Sequence, residues 1–362
     1  MTSCGLVPKT SDGRPLPSFD ELPHFHSFKG CAWGLWGEDD QLGTINLLTD
    51  DVVKQAAREE IITGQSVSLN WPINFPEKPL FKRKAAQIYM IPDERGYAHR
   101  EDEIEMDTQS GSQWDGMTHL GVVAHNVFYN NTPKDMLLSG KVPIPDPTNI
   151  DPRLSRLGIQ NWADHGICGR GVFLDLVDFY ISSGDPLPYD PWTTYAITVP
   201  ELEACAAKQG VKFRAGDILL IRVGHIKRYN ESSQEEKDAV GSRDEETLAG
   251  IDQSDDMKRF LWDNHFSAIV SDQPALERWP PPAGVPHIHQ TILGLWGMPI
   301  GEMFDLEKLS QVCKKTSRYT FFFSSWPLPI IGGCAAPPNA AVSIHFTTYW
   351  FTLLTTTCQA MF

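Results

Sequence analysis

Between Gln113 and His125 the chain reads Gln-Trp-Asp-Gly-Met-Thr-His-Leu-Gly-Val-Val-Ala-His, which places Asp115, His119 and His125 within eleven residues. A carboxylate and two imidazoles are groups that metal-assisted hydrolysis and acid–base transfer both use. Spacing restricts how they can meet. In a straight strand all three share a face, but the outer pair would lie ~33 Å apart. In a helix Asp115 and His119 are neighbours, while His125 points elsewhere. Convergence demands a bend, and Gly111, Gly116 and Gly121 supply the backbone freedom for one. The same residues would serve equally well as an interfacial histidine pair and an Asp in a turn, and spacing alone does not choose.

A second polar cluster, His287-Ile288-His289, opens an apolar run that ends at Glu302. Histidines one residue apart point the same way only in an extended segment, so one of the pair is expected to face a site. His289 and Glu302, brought together, would bind a metal or act as acid and base; taken alone they suit a helix cap and a surface carboxylate. Trp114, Trp33 and Trp36 are candidates for the wall of a flat substrate pocket or for ordinary core. Asp272, at the end of an apolar run, either reaches a site or caps a turn. Cys168-Gly169-Arg170-Gly171 superficially resembles a phosphate loop, but it precedes a strand and reads as a tight turn. No serine sits in a GxSxG elbow.

The elements that must position these groups follow from periodicity. Thr49 to Gly64 has an N-cap candidate, apolar positions at helical spacing and a terminal glycine, and predicts a helix. Ser66 to Trp71 alternates as a strand, and the charged stretch 93–107 predicts a solvated loop or lid. Four prolines between Pro143 and Pro152 require a loop. Gly171 to Val177, Asp217 to Val223 and Phe266 to Asp272 read as buried strands, Thr198 to Gly210 as a helix, and the acidic stretch 231–246 as a solvated helical surface. The pattern predicts an α/β single domain with a mixed central sheet covered on at least one face.

Composition narrows the partners. The 362 residues carry 31 Lys and Arg against 46 Asp and Glu, a formal charge of -15 that argues against nucleic acid. Seven scattered cysteines without a CxxC pair read as reduced thiols of a cytoplasmic protein. Residues 1–30, rich in proline and lacking an apolar core, predict an irregular arm and no secretory signal. From Tyr319 to Phe362 there is no Lys, Arg, Asp or Glu, and residues 341–362 form an uncharged tail. Its many threonines and lack of basic flanks fit a membrane span badly.

Together these stretches resemble the cyclase and kynurenine-formamidase-like superfamily, in particular its fungal and actinobacterial cyclase branch. The matching segments are Asp40–Thr49, Gln113–His119, Gly169–Asp175, Arg214–Arg222, Ser271–Glu277 and His289–Glu302. The resemblance implies a swivelling β/β/α fold over residues 31–340, a homodimer or homotetramer, and metal-dependent hydrolysis of small amides and lactams such as N-formylkynurenine and isatin. The superfamily motif is H-x-G-T-H-x-D-x-P-x-H. Matched on Thr118-His119, it places Asp115 and His119 as ligands of a divalent metal, manganese or zinc, and His125 as the catalytic acid–base group. His289 and Glu302 resemble the later His and Glu that complete the site. One position departs from the motif: Gly121 stands where the superfamily keeps an Asp ligand. The alternatives are a cyclase or dehydratase using the same acid–base residues without metal, and a binding protein on a decayed site.

Overall fold

Alternating burial along the central strands divides the core into two halves. On the strand Ile167–Asp175, Val172 and Leu174 join one apolar cluster and Ile167 and Phe173 the other; on Ile218–Arg222, Leu219 and Ile221 separate from Ile218 and Leu220 in the same way. Strands buried on both faces carry continuous apolar runs, which is why these segments stand out in the sequence. The computed structural model describes residues 8–62, 64–182 and 184–344.

Nine strands form one mixed sheet: β1 (Gln65–Ser68), β2 (Gln113–Asp115), β3 (Ile167–Asp175), β4 (Ile218–Arg222), β5 (Ala268–Ser271), β6 (Ile300–Glu302), β7 (Thr320–Ser325), β8 (Ala335–Ala336) and β9 (Ala340–Ile344). Their order is β1-β9-β7-β3-β4-β5-β6-β2-β8. The four central strands β3 to β6 are parallel, and every pairing outside them is antiparallel. Helices α1 (Asp50–Glu60) and α4 (Glu307–Thr316) bring residues to one core cluster, and α2 (Val199–Gln209) and α3 (Asp255–Asp263) to the other, so the expected α/β single domain with a mixed sheet is observed. Among the described residues no helix is long and apolar enough to cross a membrane.

The local signals act as their chemistry requires. The Thr49 side chain caps α1 by accepting from the Val52 N–H, and Thr198 and Glu201 form a reciprocal capping box on α2, which ends at Gly210 in the left-handed region. Asp272 is a structural cap: its carboxylate accepts the backbone N–H groups of Val223 and Gly224 at 2.7 and 2.8 Å. The charged stretch 93–107 lies in an exposed antiparallel hairpin, Gln87–Pro92 with Arg100–Glu105.

Two expectations need correction. Cys168 to Gly171 is no turn: it is the first half of β3, paired with β7, and its glycines let the sheet pack closely. A Cβ on Gly171 would stand 2.2 Å from Cε2 of Phe321. The arm at residues 8–30 is irregular but docked, with Phe19 and Leu22 buried and the Phe19 N–H given to Asp263 at 2.7 Å. The expected tail boundary at 341 falls inside β9, which pairs with both β7 and β1; the remainder of the tail, from 345, lies outside the described residues. Gly171→Val is expected to lower the unfolding free energy by about 1–3 kcal/mol through overpacking against Phe321. Urea denaturation measures this, and an unchanged midpoint would refute the close approach.

Candidate active site

The junction where the sheet turns from parallel to antiparallel, β6 against β2, carries the polar centre. Its register sets Gln113 opposite Glu302, Trp114 opposite Gly301 and Asp115 opposite Ile300. Because side chains alternate along a strand, Gln113 and Asp115 share a face with Glu302 while Trp114 points away. His289 reaches the same point from the entrance of a π-helix, Gln290–Leu295, a rare wide turn that is frequent at functional sites. Asp115, His289 and Glu302 present ligand atoms within 4.8 Å of one another.

Neutral donors hold the Asp115 and Glu302 carboxylates, and a third carboxylate holds His289. The Gln113 amide donates to Asp115 Oδ1 at 2.9 Å and to Glu302 Oε2 at 3.0 Å, so one side chain spaces the two carboxylates. Gln109 donates to Asp115 Oδ1 at 2.7 Å and lies 3.0 Å from Nδ1 of His119. Glu302 Oε1 accepts the Leu276 N–H at 2.9 Å and lies 3.1 Å from Nε2 of His289. Behind them Glu277 Oε1 lies 2.6 Å from His289 Nδ1, and Glu277 Oε2 accepts from Gln253 at 2.7 Å and from the Ile288 N–H at 3.1 Å. Glu277 is a member of this buried cluster that sequence reasoning missed, although it closes the quoted segment Ser271–Glu277. Gln109 and Gln113 were missed as well, because a neutral amide carries no chemical signature of its own.

Burial and mutual charge set the protonation. Burial would lower the His289 pKa, but hydrogen bonds to Glu277 and Glu302 overcome it and raise it to about 10. Glu277 is pushed up by burial and pulled further down by hydrogen bonds from His287 and His289, so it stays charged far below the ordinary carboxylate range. Glu302 is raised, first by burial and then by the Asp115 charge. Burial lowers the His119 pKa against the pull of Asp115, which favours the neutral ring. Without a cation, protonated His289 supplies the positive charge among the buried carboxylates; a divalent cation bound at Nε2 would take the place of that proton.

A divalent cation fits the same space. Asp115 Oδ2 is buried without a hydrogen-bond partner, 3.8 Å from His119 Nε2 and 4.0 Å from His289 Nε2. A carboxylate oxygen in such a position is an acceptor waiting for a donor or a cation. Two carboxylates and one imidazole are a donor set that zinc and manganese both accept.

With this geometry, comparison with known proteins becomes informative. The model of the family described as "Putative cyclase" matches residues 48–278. The chain belongs to the cyclase family. A solved structure of a novel cyclase superposes with a TM-score of 0.73 at 29% identity, covering 86% of this chain and 97% of its own. Isatin hydrolase A from Ralstonia solanacearum gives a TM-score of 0.53 at 14% identity over 78% of this chain and 92% of its own. The isatin hydrolase A of Labrenzia aggregata, bound to benzyl benzoate, gives 0.53 at 13% identity over 82% and 98%. At these last two identities the likeness is one of fold. No curated protein gives a significant match.

Within this member of the cyclase family the expected site residues divide. Asp115, His289 and Glu302 converge, and His119 stands at the rim with its side chain 23% exposed. His125 does not join them. It ends a single helical turn, Val123–His125, stacks on His26 with ring centroids 3.9 Å apart and meets Phe25 edge-on. Among the described residues it makes no hydrogen bond or ion pair with Asp115, His289 or Glu302. Trp114 is core, not pocket wall: it is fully buried against Phe304 and Phe323, and its indole N–H goes to Ser325 at 2.9 Å. Trp36 packs towards Trp262, and Trp33 donates to the Gly294 carbonyl at 2.8 Å beside Phe25. His287 and His289 were expected to diverge, yet both address Glu277, with His287 Nδ1 3.7 Å from Oε2.

Gly121 explains the missing ligand sterically. A Cβ there would stand 2.2 Å from the Val127 carbonyl oxygen and 2.8 Å from Cδ1 of Phe128, so the backbone bend that carries His119 past β2 leaves no room for a side chain. Gly121→Asp is therefore expected to lower the melting temperature without tightening cation binding. Thermal unfolding with and without added manganese tests this; a gain in affinity with unchanged stability would show that the position can still hold a ligand.

Proposed function

We propose that this cyclase is a hydrolase of an amide, a lactam or a related carbonyl compound, with Asp115, His289 and Glu302 holding a divalent cation. The observation that carries the reading is the buried, unpartnered Oδ2 of Asp115 within reach of two imidazoles. When bound, such a cation supplies Lewis-acid polarisation of the substrate carbonyl and makes water more acidic.

The remaining work falls to the chain. Gln113 fixes the separation of Asp115 and Glu302, so their charges converge on one point without collapsing together. Glu277 orients the His289 ring through Nδ1 and leaves Nε2 facing Asp115 and Glu302, a positioning role that metal-site histidines commonly require. His119, neutral and held by Gln109, is the proton acceptor in this proposal: its Nε2 takes a proton from the attacking water and returns it to the leaving nitrogen or oxygen. His119 replaces His125 in that role because it is the imidazole that faces Asp115.

The test combines cation content with turnover on a panel of formanilides, isatins and simple lactams. Asp115→Asn and His289→Gln are expected to lose both the bound cation and turnover. His119→Ala should keep the cation and lose about 10²–10⁴ in kcat, whereas His125→Ala should retain cation and most of the rate. Turnover that survives exhaustive chelation would reject the hydrolase reading and favour ring closure or dehydration by the same acid–base groups.

A further inference from the structure

One cation beside the site forms no ion pair among the described residues. Arg83 is half-buried, donates from Nη1 to the Gln109 carbonyl at 2.9 Å and lies over the Phe81 ring, 5.2 Å from its centroid. Among the described residues no carboxylate pairs with it, although the chain carries more acidic than basic groups. Gln109 is the residue whose side chain touches Asp115 and His119, so the guanidinium sits one glutamine's length from the proposed reacting centre. Its charge acts on both His119 and Glu302.

The surroundings form a built wall. Phe81 meets Trp279 edge-on at 5.0 Å, and Trp279 stacks on His287 at 4.5 Å. His287 in turn approaches Glu277, which holds His289. A half-buried row of rings therefore runs from Arg83 back to the centre. Phe81 and Lys82 both have positive φ, 60° and 55°, a costly conformation for residues with side chains. The strained turn immediately precedes Arg83.

We infer that Arg83 is a specificity residue that receives the carboxylate of an anionic substrate, with the reacting carbonyl directed towards Asp115, His289 and Glu302. The physical reason is balance. A half-buried guanidinium gains most from a planar anion that takes two of its N–H groups, and among the described residues Arg83 donates to a neutral carbonyl and to no carboxylate. Arg83 sets a fixed positive charge beside Gln109, where it would offset the repulsion of an anionic substrate by the carboxylates of Asp115, Glu277 and Glu302. The inference rests on the hydrolase reading above and adds the class of compound to it.

The experiment compares 2-formamidobenzoate with formanilide, which lacks the carboxylate, on the manganese-supplemented full chain and its Arg83→Gln and Arg83→Lys variants. The ratio of kcat/KM for the carboxylated over the neutral compound should fall about 10- to 100-fold in Arg83→Gln, mainly through KM, as expected for loss of a charge-assisted hydrogen bond. Arg83→Lys should keep part of that ratio. An unchanged ratio overturns the inference, including the case in which both rates fall together because Arg83 only steadies Gln109. If the wild-type protein hydrolyses neither compound, the hydrolase reading fails for this class, and calorimetric titration decides on Arg83 separately. Binding of 2-formamidobenzoate at least tenfold tighter to wild type than to Arg83→Gln supports the assignment; equal binding, or none, overturns it.

Discussion

Asp115, Glu277 and Glu302 are buried together around the His289 imidazole, and the rest of the site is arranged around the need to balance them. Two like charges ~4 Å apart at an effective dielectric constant of ~20 repel by about 4 kcal/mol, a large part of the roughly 5–15 kcal/mol that holds a domain folded. Such a cluster persists only if every oxygen is either hydrogen-bonded or offered to a positive charge. Gln113, Gln109, Gln253 and the backbone N–H groups of Leu276 and Ile288 satisfy most of them. Asp115 Oδ2 is left over, and it defines the point at which a cation is proposed to bind.

That arrangement depends on the sheet. Gln113 can bridge Asp115 and Glu302 only because β2 runs antiparallel to β6 with Gln113 directly opposite Glu302. A register slip of one residue would turn Trp114 into the polar site and Asp115 into the apolar core. The Trp114–Gly301 pairing guards against such a slip: Trp114 fills the space beside Gly301, where an added Cβ would lie 3.1 Å from Cζ3 of Trp114 and 2.8 Å from Phe304. Apolar packing on one face of the strand pair thereby sets the polar geometry on the other. The π-turn after His289 serves the same end, since it brings a residue thirteen positions before Glu302 to within 3.1 Å of it.

Much of the scaffold was legible in the sequence. The helix at Thr49, the capped helix after Thr198 and the buried strands ending near Asp175 and Arg222 all follow from periodicity, caps and continuous apolar runs, which are local properties. The same logic failed at Cys168–Gly171, where glycines taken as turn formers are instead spaces for Phe321 and Leu48 in a packed sheet. Glycine looks the same in sequence whether it supplies backbone freedom or room for a neighbour.

Residue chemistry alone singled out Asp115, His119, His289 and Glu302 as candidate site groups, because carboxylates and imidazoles announce themselves wherever they lie. Only the tertiary structure decided which of them meet, since that depends on a strand pairing between residues nearly two hundred positions apart. It also placed His125 against His26 and Trp114 in the core, and it brought in Glu277, Gln109 and Arg83, whose roles come from neighbours distant in sequence. Local periodicity determines elements; the convergence of charges is set by long-range packing, which no single segment encodes.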